Sequence, residues 1–111
     1  MYTAVASEVF KHSLNRLYAF LTRKYGEDVA RKQKKLLRKN IESKLCANPH
    51  IAPVSDRLLA LGMSEYRQWH VDEHNILYFQ INEQSRQIEL LAVMDSRQSI
   101  QKLLFEVMLL V

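Results

Sequence analysis

The sequence predicts an α+β fold: an N-terminal strand and an antiparallel helical hairpin packed on a 3-4-stranded, mainly antiparallel sheet, with a short C-terminal helix. Three observations predict it. Apolar residues recur at three- and four-residue spacing between Phe10 and Leu45, the period of a helix face. Three strand-like runs then follow with short separators, as in a meander. Finally, a turn-like stretch from Ser96 to Ser99 leads into a strongly apolar terminal segment.

Each element has its own signal. Tyr2 to Ala6 is short and partly β-branched, which suits an opening strand. Ser7 followed by Glu8 offers a helix N-cap, because a serine hydroxyl accepts from the free amides of a first turn. Phe10, Leu14, Leu17, Tyr18, Leu21 and Tyr25 then share one helical face, and Gly26 ends the helix. Glu27 and Asp28 suit the positive end of a second helix whose later turns are basic, the polarity its dipole favours. That helix is expected to run to about Ala47, with Ala30, Leu37, Ile41 and Leu45 as the buried stripe, Val29 and Leu36 beside it, and Asn48-Pro49 as the stop. A connection this short around Gly26 folds the two helices back on each other.

Residues 50–63 hold Pro53 and Gly62 and read as a connection with a helical turn or short strand at Arg57 to Leu61. The strands are expected at Glu65 to Val71, Asn75 to Ile81 and Gln87 to Met94. In the last of them Ile88, Leu90, Ala92 and Met94 are expected on one face and Glu89, Leu91 and Val93 on the other. A strand apolar on both faces belongs inside a sheet with something packed on each side. Ile100 to Val111 is the terminal helix; Glu106 is the only charge in its last nine residues, so it is half of the core or a surface awaiting a partner.

Composition narrows function. The chain has 111 residues, 48% hydrophobic and 25% charged, enough for one core from residue 1 to 111 without staples. Cys46 is the only cysteine, so no internal disulfide forms and a reducing, cytoplasmic address is expected. No segment reaches the roughly 20 apolar residues that span a bilayer, and no signal peptide is evident, so no membrane role is expected. With Gly26 and Gly62 the only glycines, phosphate loops and dinucleotide fingerprints are absent. His70 and His74 straddle a turn with only Asp72 and Glu73 beside them, so no metal and no cofactor are expected. Residues 1–50 carry eleven Lys/Arg against four Asp/Glu, and residues 51–111 five against eight. The excess gathers at Arg31, Lys32, Lys34, Lys35, Arg38, Lys39 and Lys44, a solvated helix face or an attractor of phosphate backbones or an acidic protein partner.

This order of elements in a basic chain of this length resembles the RelE/ParE toxin superfamily of bacterial toxin–antitoxin pairs. The first half looks like the ParE branch: a helix ending in Tyr25-Gly26, then Asp28-Val29-Ala30 opening a second helix that closes on Leu45 and Asn48-Pro49. In the second half Tyr66-Arg67 opens a strand, Ile76-Leu77-Tyr78 lies in the next, and Ile88 to Met94 leads to Arg97-Gln98. The family's arginine slot before the tyrosine is Asn75 here, and Met94-Asp95-Ser96-Arg97 lacks the histidine of ParE-like and the lysine of RelE-like chains. The resemblance implies a toxin of a type II pair that poisons DNA gyrase and is neutralised by a cognate antitoxin. Lys35, Arg38, Lys39, Leu104 and Met108 are the expected partner contacts. The alternative it implies is a ribosome-dependent mRNA endoribonuclease. There His70 or His74 would exchange protons, His74 being the preferred one, and Arg67 and Arg97 would hold phosphate, with Tyr78 stacking on a base or donating a proton.

Overall fold

Among the described residues, four β-strands and four α-helices form three layers, the sheet lying between two helical layers. The computed structural model describes residues 1–110, with side chains as far as Val107. The side chains of Met108 and Leu110 and the whole of Val111, all assigned above to the terminal helix, lie outside the described residues.

Strand β1 (Thr3–Ala6) leads into α1 (Glu8–Tyr25), whose first turn is capped by Ser7: its Oγ accepts from Phe10 N at 3.0 Å. Gly26, at φ +95°, turns the chain directly into α2 (Glu27–Asn40). That is the left-handed region where a side chain is strained, and it explains why glycine sits at the one-residue hairpin. A π-turn, Ile41–Leu45, prolongs α2 and keeps Ile41 and Leu45 on the buried side with Ala30 and Leu37. A 3-10 turn (Pro49–Ile51) and the four-residue helix α3 (Asp56–Leu59), capped by Ser55, occupy the connection. Strands β2 (Tyr66–His70), β3 (Asn75–Asn82) and β4 (Gln87–Asp95) follow, then α4 (Ile100–Leu110).

The sheet order is β1-β4-β3-β2. The meander is antiparallel as expected, and β1 joins the other side of β4 in parallel, with Thr3 opposite Gln87 and Ala6 opposite Leu90. Strand β4 is therefore internal, which its two apolar faces demanded.

One expectation fails here. Ile88, Leu90, Ala92 and Met94 do not share a face. Tyr78 pairs with Ala92 and Phe79 with Leu90, so Leu91 is an extra residue without a partner, a bulge in β4. A bulge inverts the alternation beyond it. Ile88, Leu90 and Val93 consequently pack with Phe10, Leu37, Ile41 and Leu45 under the helical hairpin. Leu91, Ala92 and Met94 pack with Leu58, Ile76, Tyr78, Ile100 and Leu103 against α3 and α4.

Beyond Ala6 the chain leaves the sheet for α1, and the edge of β4 past Leu90 loses its strand neighbour. A serine makes good that loss: the buried Ser13 Oγ accepts Val93 N at 3.0 Å and donates to Phe10 O at 2.8 Å. Ser13→Ala strands a buried amide, and we expect a loss of about 1–3 kcal/mol in chemical denaturation. A serine that merely faced solvent would cost next to nothing.

Candidate functional site

The α1 stripe is only partly covered. Phe10 is buried at its start, but Leu14, Leu17, Tyr18 and Leu21 are half-buried and Tyr25 is exposed. Leu14, Leu17, Tyr18, Leu21 and Tyr25, with α2, the turn from β2 into the start of β3, and the end of β4, wall an apolar groove of about 670 Å³. On the α2 side Val29, Gln33, Leu36 and Asn40 form a row at i, i+4, i+7 and i+11, which a helix presents in one direction. Phe20 is 41% exposed, Tyr25 54%, Val29 39% and Leu36 49%, so large side chains meet water here instead of protein. Periodicity put Val29 and Leu36 beside the buried stripe. Their signal was that they are apolar on a helix otherwise crowded with lysine.

Basic residues line the groove. Lys24 Nζ sits 5.6 Å from the Phe20 ring centre and 5.4 Å from that of Tyr25, and Lys34 Nζ lies 5.3 Å from that of Tyr18. Cations over aromatic faces are attracted by the ring quadrupole, which holds these lysines against the apolar walls.

At the open end of the groove, two turns are tied together. Asp72 Oδ1 accepts the backbone amides of His74 and Asn75 at 2.8 and 2.9 Å, and His74 O accepts Ser96 N at 2.7 Å. This brings His74 and Arg97 to the same groove. Arg97 is already engaged: Nε and Nη2 each donate to the Asp95 carboxylate at 2.9 Å, and its backbone amide does so at 2.8 Å. Those bonds from Arg97 hold the Asp95 carboxyl down at about 2. Since the folded value lies below the ordinary 3.8, the pair stabilises the fold above pH 4 and loses that contribution as pH falls toward 2. In Arg97→Ala, a carboxyl-carbon NMR titration should move Asp95 part of the way back toward 3.8, since the backbone amide of residue 97 still donates to it.

Arg67 does not join His74 and Arg97. It lies on β2, where Nη1 donates to Ala52 O at 2.6 Å and holds the 50s connection against the sheet edge. Tyr78 is fully buried, its hydroxyl 3.4 Å from Arg57 Nη1. Trp69 is half-buried against the hairpin-side core. Lys35, Arg38 and Lys39 stand exposed on α2, Arg38 paired with Glu42 at 3.3 Å. Leu104 is partly buried against the α4-side core. Cys46 is buried, and that burial pushes its thiol pKa up, so the inert, unreactive form persists. Among the described residues no group of three or more His, Cys, Asp and Glu side chains is placed to hold a metal. No described helix is long and apolar enough to cross a membrane.

Comparison with solved structures places the architecture. A chain of the chromosomal ParDE TA system from P. aeruginosa superposes with a TM-score of 0.67 at 12% identity, covering 86% of this chain and 96% of that one. A chain of the toxin–antitoxin complex RelBE2 from Mycobacterium tuberculosis gives 0.59 at 11% identity, covering 85% and 96%. A conserved hypothetical protein from Helicobacter pylori gives 0.50 at 17%, covering 86% and 96%. No family model matches the sequence, and no curated protein matches it. The chain thus has the RelE/ParE fold, on structural likeness rather than on sequence identity.

Proposed function

We propose, taking the RelE/ParE fold as premise, that the chain is the toxin of a type II toxin–antitoxin pair. It works in the cytoplasm, is neutralised by a cognate antitoxin, and inhibits DNA gyrase by binding it. The observation that carries the binding reading is the groove, where Phe20, Tyr25, Val29 and Leu36 are exposed together beside Lys24 and Lys34. A contiguous apolar patch costs solubility unless something covers it. An amphipathic segment fits such a groove, and carboxylates flanking its apolar face would meet the lysines. The fold is shared with chains of two toxin–antitoxin systems, which supports an antitoxin as that partner.

A second reading keeps one observation on its side. His74 and Arg97 line the same groove, and a proton-exchanging group beside a guanidinium is part of what 2′-hydroxyl attack on an RNA phosphate requires. Against it, Arg97 directs its donors into Asp95, and Arg67 is held at Ala52. Inducible expression in a bacterium separates the two. Under the gyrase reading double-strand DNA breaks accumulate while translation continues, and Arg97→Ala remains toxic. Arrest of protein synthesis on an intact chromosome, abolished by Arg97→Ala, would replace it with the endoribonuclease.

A further inference from the structure

The row on α2 has a spacing that belongs to coiled coils. Val29, Gln33, Leu36 and Asn40 follow one another by four, three and four residues, so in a heptad they occupy d, a, d and a, the seam that faces a partner helix. In that frame Ala30 and Leu37 fall at e and are buried in the protein's own core, whereas Lys32 and Lys39 fall at g and are exposed. One flank of the seam is thus committed to the fold, and the other is open to water.

The seam is not uniformly apolar. Both of its a positions are carboxamides, Gln33 exposed and Asn40 half-buried, and both line the groove. The side-chain hydrogen bonds of α2 run from Arg31 to Glu27 and from Arg38 to Glu42; Gln33 and Asn40 take part in none among the described residues. A partner that covers the seam removes their water and must offer hydrogen-bonding groups of its own, or leave two buried amides unsatisfied. Polar residues at a are how coiled coils fix register, at some cost in affinity. Charge then selects the occupant. Arg31 and Arg38 are paired with carboxylates along α2, whereas Lys32 and Lys39 are in no ion pair among the described residues. A second copy of α2 would bring the same lysines to the seam and be repelled, while a helix with glutamates on its flank would meet them.

We propose that Val29, Gln33, Leu36 and Asn40 are the stripe that selects the partner of the groove. It takes one acidic amphipathic helix, in the single register that sets polar side chains opposite Gln33 and Asn40 and apolar ones opposite Val29 and Leu36. The inference rests on the reading of the groove as a partner site and adds a division of labour to it. Val29 and Leu36 supply affinity, and Gln33 and Asn40 discriminate between related partners by penalising an apolar residue opposite either amide.

Three labelled synthetic helical peptides of about three heptads test it by fluorescence anisotropy with the purified chain. The parent has Leu at every a and d and Glu at e and g, which keeps it from pairing with itself. One derivative carries Asn at two consecutive a positions, which meet Gln33 and Asn40 if the helices run parallel. The other carries Asn at two consecutive d positions, which meet them if the helices run antiparallel. One derivative should bind about tenfold more tightly than the parent and the other derivative, and Q33L/N40L should reverse its advantage over the parent. K32E/K39E should weaken the preferred peptide about fivefold. Thermal unfolding of each variant confirms that it is folded. Equal binding of all three peptides, lost in V29E/L36E, would leave an apolar groove without a polar register and overturn this inference alone. Failure of all three to bind would refute the helical seam, and the groove would keep its own test in V29E/L36E against the antitoxin. A dimer of the free chain in sedimentation, dispersed by V29E/L36E, would make the occupant a second copy and refute the acidic helix.

Discussion

Placing glutamate at both Val29 and Leu36 is expected to weaken binding of the proposed antitoxin by about a hundredfold or more while leaving the fold intact. Both side chains are exposed, so their replacement removes little from the core. In the complex they would be covered, and truncating a central apolar contact typically costs about 2 kcal/mol or more, before the added cost of burying a carboxylate. Titration calorimetry against the antitoxin that the proposed function requires measures the affinity, and thermal unfolding of the free variant supplies the control. Undiminished binding by a folded V29E/L36E chain would show that the partner lies elsewhere, for example on Lys35, Arg38 and Lys39 or on Leu104.

The largest effect on stability should come from Phe79→Ala. Phe79 is fully buried between the hairpin and the sheet, paired with Leu90 where the bulge begins. Removing a buried phenylalanine costs about 3–5 kcal/mol, in a domain whose whole stability is about 5–15 kcal/mol. At about 4–8 °C per kcal/mol for a small domain, the melting temperature should fall by about 12 °C or more. Phe105→Ala is the counterpart. At 63% exposed on α4 it should shift stability by less than about 0.5 kcal/mol.

The order and kind of the elements were legible because they rest on local chemistry. Ser7 and Gly26 bound α1, the apolar period places Ala30, Leu37, Ile41 and Leu45 inward, and a strand apolar on both faces had to be internal. What escaped the sequence is non-local. The bulge at Leu91 leaves no mark in a run where every residue from Leu90 to Met94 is apolar, so the alternation was read straight through it. The sequence put the α1 stripe on one helical face. How much of it is buried depends on what stands opposite, and Tyr25 at its end is left exposed. Ser13 carries no sequence signal either, since its role depends on β1 ending at Ala6 and exposing the amide of Val93. At the site, Arg67 was separated from His74 and Arg97 only by the tertiary placement of Ala52.

The parallel pairing of β1 with β4 also sets when the protein can become itself. Thr3 waits for Gln87, and Val5 for Glu89, so the sheet cannot close until most of the chain has left the ribosome. At about 5–20 residues per second that interval lasts some seconds, during which the helical hairpin has no layer to lie against. A nascent chain of this design lacks its finished sheet until late in its own synthesis. Under the proposed function, that delay gives an antitoxin already in the cell time to meet the chain as it folds.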